Sequence, residues 1–110
     1  DYTVFVDWEK EKRLIMNNTY ELYSDAGHGW LRVEIAELYR LGIEYKITPF
    51  SYILDETAYL EEDCDLATFM KAKESAGETV EFNEIDAGND SVIRSYNSYT
   101  AGRVSLLDIA

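Results

Sequence analysis

The chain has 110 residues, 46% of them apolar, which is enough for one domain with a real core and argues against a disordered tail. Its 22 acidic and 10 basic residues give a formal charge of -12, so direct contact with nucleic acid or an anionic membrane surface is disfavoured, because phosphates would be repelled. A single cysteine (Cys64) rules out an intramolecular disulfide, there is no run of 18 apolar residues, and the start at Asp1 has no signal-peptide pattern, so a reducing, cytoplasmic setting is expected.

Residues 2–6 are β-branched and aromatic and predict a strand, residues 9–12 a charged turn, and residues 13–16 the returning strand. Residues 1–18 are thus expected to add a strand pair to a core of residues 19–110, all within a single domain. Residues 19–23 alternate and predict a strand. Residues 24–29 carry two glycines and predict a turn, and residues 30–33 return as a hairpin. Residues 34–41 predict a short helix that places Ile35, Leu38, Tyr39 and Leu41 near one face, with Gly42 as its stop. Pro49 ends any helix, and two strands follow, residues 50–54 and 57–61, around an Asp55-Glu56 turn.

Asp63 or Asp65 is a good helix N-cap, since a carboxylate satisfies free amide donors. The helix then runs to about Ala76, burying Leu66, Phe69, Met70 and the stem of Lys73, and Gly77 ends it. Residues 79–85 alternate as a strand, residues 86–90 form a turn, and residues 91–99 predict a last strand. Residues 104–109 are apolar and suited to docking or pairing. Strands outnumber helices and most connections are short. The expected fold is therefore α+β: an antiparallel sheet with two short helices packed on one face.

The charge is unevenly placed. Residues 51–90 hold twelve acids against two bases, Lys71 and Lys73. Asp55, Glu56, Glu61, Glu62, Asp63, Asp65, Glu81 and Glu84, with Glu78 and Asp86, form a candidate partner-binding face, and Tyr59 a candidate anchor beside Tyr52, Tyr96 and Tyr99. Rows of carboxylates can imitate the charge of duplex DNA, and they speed encounter with a basic partner.

A second constellation centres on His28, set between Gly27 and Gly29. Glycines allow close backbone approach, and a histidine carries protons near neutral pH. Asp25, Trp30, Cys64 and Arg94 are its candidate companions in a ligand site or small enzyme, with Cys64 as nucleophile. The simpler reading makes His28 a turn residue and Arg94 an internal counter-ion for Glu61–Asp65. No metal site or cofactor is expected: adjacent strand carboxylates at 61–65 point to opposite faces, and zinc needs more Cys or His. The loop at 86–90 lacks calcium-loop spacing.

Tyr23-Ser24-Asp25-Ala26-Gly27-His28-Gly29-Trp30-Leu31-Arg32-Val33, then Leu41-Gly42-Ile43, Ile47-Thr48, Phe50-Ser51-Tyr52, Tyr59-Leu60-Glu61-Glu62-Asp63-Cys64-Asp65 and Ile93-Arg94-Ser95-Tyr96-Asn97-Ser98-Tyr99 stand in this order. Together they resemble a family of small uncharacterised proteins carried by bacteriophages, plasmids and related mobile elements. The resemblance covers roughly residues 20–99 and brings no catalytic residue with it. It implies a setting in a host bacterial cell, where small accessory proteins inhibit restriction or CRISPR defences and several are acidic DNA mimics. The expectation is therefore a non-catalytic anti-defence protein whose partner is a basic, nucleic-acid-binding host protein. A homodimer joined through an exposed sheet edge is a further option.

Overall fold

The computed structural model describes residues 18–101. The strands expected at 2–6 and 13–16 and the apolar segment 104–109 lie outside the described residues. Strand β1 (Thr19–Ser24) turns into β2 (Gly29–Glu34). The turn is built by Asp25, whose Oδ1 accepts the N–H groups of Gly27 and His28 at 3.1 and 3.0 Å. Helix α1 (Ile35–Arg40) follows β2 directly. Strands β3 (Tyr52–Leu54) and β4 (Thr57–Glu61) form the second hairpin, with Asp55 at φ 54 in the turn. Next come α2 (Asp65–Ser75), β5 (Glu81–Asp86), one 3-10 turn (Val92–Ser95) and a two-residue β6 (Asn97–Ser98).

Both helices stop as the sequence indicates, and by the same device. Gly42 and Gly77 take φ of 71 and 72, which a side chain would resist. After each glycine the chain folds back: Ile43 N bonds Leu38 O at 3.0 Å, and Glu78 N bonds Lys73 O at 2.9 Å.

The six strands lie in the order β5-β1-β2-β4-β3-β6. Every neighbouring pair is antiparallel except β1 and β5, which run parallel. Alternation sorts the side chains into two faces. Leu31, Val33, Ala58, Leu60 and Ile53 line one face and pack against Ile35 and Leu38 of α1 and Phe69 of α2. The two helices therefore cover one face of a mostly antiparallel sheet, the expected α+β arrangement. The other face carries Trp30, Tyr59 and Ile93, with Tyr23, Tyr52 and Tyr96 packed round them. Central strand β4 is buried at all five positions because both of its faces are covered.

Three expectations are corrected. Residues 91–99 are not one strand: Ser91 Oγ accepts the Ile93 N–H at 3.2 Å and caps the 3-10 turn, leaving only Asn97–Ser98 to pair with β3. Neither Asp63 nor Asp65 caps α2. Cys64 holds the cap position without a side-chain cap bond, and Asp65 is the first helical residue, its carboxylate turned to the loop before β3. Strand β5 joins the otherwise antiparallel sheet parallel to β1, with Phe82 at 41% exposure.

Candidate functional site

Helix α2 carries its buried stripe at Asp65, Phe69 and Lys73. Lys73 is only 1% exposed, and its head is buried along with its stem. Its Nζ meets Asn18 Oδ1 at 2.6 Å, Glu78 Oε1 at 2.7 Å, the Tyr20 hydroxyl at 2.8 Å and Glu37 Oε1 at 3.0 Å. Arg40 closes the network, reaching both Glu78 oxygens at 2.9 and 2.8 Å and Glu37 Oε1 at 3.1 Å. Burial alone would lower the Lys73 pKa, but its bonds to Glu78, Tyr20 and Glu37 outweigh it and hold the ammonium charged. Burial pushes Tyr20 up to about 12, and Arg40 with Lys73 draws Glu78 down to about 2. Glu78, expected on the partner face, is thus an internal counter-ion.

On the other side of the sheet, Asp25 and Arg94 meet across 69 positions of sequence. Arg94 Nε lies 2.7 Å from Asp25 Oδ2 and Nη2 lies 2.9 Å from Oδ1, a two-pronged pair. Ser91 N also donates to Asp25 Oδ2 at 3.0 Å, so five donors converge on a carboxylate whose side chain has no exposed surface. Arg94, followed by Ser91, Gly27 and His28, holds the Asp25 carboxyl well below the usual range. Arg94 also lies 2.9 Å from His28 Nδ1 and 5.3 Å from the Trp30 ring, on which His28 stacks.

Asp25, His28, Trp30 and Arg94 therefore do come together, but as a clasp between the β1–β2 turn and the 3-10 turn. Cys64 does not join them. Its Sγ lies against Glu61 Oε2 at 3.3 Å and Thr48 Oγ1 at 3.7 Å, and burial raises its pKa, the reverse of an activated thiolate. An open groove lined by Ser24, Asp25, Ala26, Glu84, Ile85, Asp86, Gly88 and Asn89 contains neither His28 nor Cys64.

Glu78 and Asp25 set the acid limit of the fold. Each binds its proton more weakly folded than unfolded, so the unfolded chain is protonated first as pH falls. The stability they contribute is complete above about pH 5 and declines through the ordinary carboxylate range towards about pH 2. Urea unfolding is expected to show a lower midpoint at about pH 3 than at about pH 6. Equal midpoints would contradict these pairings.

The acidic residues of the expected face separate into two groups. Glu61 and Asp65 are 8% and 1% exposed. Glu61 Oε2 accepts from Asp63 N, and Asp65 takes the Thr48 N–H and hydroxyl and the Ser51 hydroxyl. These two carboxylates brace the fold and do not face a partner. Tyr59 packs on Tyr96 and Tyr23, and Tyr99, 2% exposed, donates its hydroxyl to Glu44 O at 2.7 Å, so neither is a free anchor. Tyr52 and Tyr96 are half-buried.

Asp55, Glu56, Glu62, Asp63, Glu81, Glu84 and Asp86 are exposed, as is Glu74. Asp55 and Glu56 lie at one end of β4, and Glu62 and Asp63 just past the other. Strand β5, with Glu81, Glu84 and Asp86, is separated from β4 by β1 and β2, about 14 Å at the usual strand spacing. The acids thus surround the fold rather than forming one patch. Two exposed aromatics escaped the sequence pattern. Tyr45 and Phe50, 77% and 72% exposed, sit on the loop that Asp65 and Tyr99 brace. Nothing local distinguishes them from core aromatics.

Among the described residues no helix is long and apolar enough to cross a membrane, and no group of three His, Cys, Asp or Glu could hold a metal ion. Comparison with protein-family models, curated proteins and solved structures returns no match.

Proposed function

We propose that the protein is an acidic accessory protein of a phage or other mobile element that acts in the cytoplasm of its bacterial host. It binds the basic, nucleic-acid-binding surface of a host defence protein and inhibits it by occupying the place of nucleic acid, without catalysis. One observation supports this reading most. Of the six basic residues between 18 and 101, four (Arg32, Arg40, Lys73 and Arg94) are engaged in internal ion pairs. Eight exposed carboxylates (Asp55, Glu56, Glu62, Asp63, Glu74, Glu81, Glu84 and Asp86) have no such pair among the described residues. Most of the cations are committed to carboxylates of the same chain, so the eight remaining surface carboxylates keep an uncompensated negative field. Such a field accelerates encounter with a basic partner and repels like-charged ones.

The test is capture of proteins from the heparin-binding fraction of a bacterial lysate, with duplex DNA as competitor. A basic protein should be retained, released by duplex DNA and by raised salt, and lost when Glu62→Lys and Asp63→Lys are combined. Retention indifferent to DNA, salt and charge reversal, or no retention at all, would overturn the reading.

A further inference from the structure

Among the described residues, strand β5 is the outer strand of the sheet and pairs with β1 alone. The phase of that pairing is set at both ends. Glu81 N donates to Asn18 O at 2.9 Å, and Ala87 N donates to Ser24 O at 2.7 Å. Along a strand, the N–H and C=O of one residue point to the same side, and the side alternates at every step. The odd-numbered amides from 81 to 87 therefore face β1. The amides and carbonyls of Phe82, Glu84 and Asp86 face outward, a row of main-chain donors and acceptors that can template another extended chain.

The side chains decide which chain it accepts. Five of the six residues of β5 are exposed, three are acidic and none is basic. A second copy laid antiparallel can pair only through the outward residues, and full overlap of that row sets Glu84 against Glu84 and Phe82 against Asp86, with like charges opposed at its centre. A segment alternating Arg or Lys with apolar residues meets the opposite field, and Phe82 offers its ring to a cation or an aliphatic stem. The other edge, β6, has only two residues and offers far less.

We infer that β5 is the docking edge, where a basic extended segment of the partner protein adds as a seventh strand. The main chain at Phe82, Glu84 and Asp86 sets its register, and Glu81, Glu84 and Asp86 select Arg and Lys. This rests on the reading of the protein as a binder of a basic surface and names the place and mode of contact.

The probe is a capped hexapeptide alternating arginine and valine, compared with the same peptide N-methylated at every amide. The two carry equal charge, but the second cannot pair with a strand edge. The intact peptide should shift the NMR amide signals of Phe82, Glu84 and Asp86, and the methylated one should bind about tenfold more weakly. In the protein, Glu84→Pro removes an outward N–H without touching the β1 ladder, and Glu84→Gln removes charge alone. The proline variant should lose more affinity than the glutamine variant. Equal binding of both peptides, or shifts centred on Asp55, Glu56 or Asp63, would overturn the docking edge while leaving the acidic-surface reading standing. No binding of either peptide would also overturn it, and the capture experiment would then judge the broader reading on its own.

Discussion

Replacing Lys73 with alanine is expected to destabilise the protein by about 4 kcal/mol. The lysine is 1% exposed and is the common donor to Asn18, Tyr20, Glu37 and Glu78. Truncation leaves a cavity beside Phe69 and Tyr20, whose rings lie 5.9 and 5.3 Å from Nζ. It also leaves two carboxylates close together with only Arg40 between them. Lys73→Met separates these contributions. It refills the volume, so it should cost about half as much, and the remainder reports the lost charge. Urea unfolding at neutral pH measures both. A Lys73→Ala variant within about 1 kcal/mol of the parent would show that the network is not needed for folding.

The second large effect concerns Asp65. Read from sequence it is a surface acid available to a partner, whereas in the fold it is 1% exposed and takes three hydrogen bonds from Thr48 and Ser51. Asp65→Ala strands the Thr48 amide and the Ser51 hydroxyl in the interior, at a cost of about 3 kcal/mol. Asp65→Asn keeps one acceptor but points an amide donor at other donors, so it should cost more than half of that. The contrast is with Asp63, two positions earlier and exposed. Asp63→Lys should leave the stability within about 0.5 kcal/mol of the parent while weakening capture of a basic partner. Loss of stability at Asp63 together with none at Asp65 would invert the assignment.

These residues also show what could be read from the chain. Gly42 and Gly77 were legible as helix stops because a left-handed residue after an apolar stripe is a local requirement. The alternation of β1, β2 and β4 was legible because each residue's face follows from its parity. The misreadings arise where the deciding partner is distant. Lys73 looked like a stem on an apolar stripe because Asn18 lies 55 positions away, and Arg94 reaches Asp25 over 69. Val92 and Ile93 signalled a strand, and one hydroxyl at Ser91 turned them into a helical turn. The candidate face was only partly legible for the same reason. Exposed Glu62 and buried Glu61 are neighbours of identical type, and only the fold separates them.

The parallel pairing of β1 with β5 has a consequence for how the molecule assembles. Hairpin β1–β2 closes over a four-residue turn, whereas Thr19 meets Glu81 only after about sixty intervening residues have been gathered in. Strand β5 buries little in return, since five of its six residues remain exposed. Its hold on the sheet is therefore the six-position main-chain ladder to β1 rather than buried side chains. A segment that docks on the outer side would give β5 a second ladder and resist its local opening.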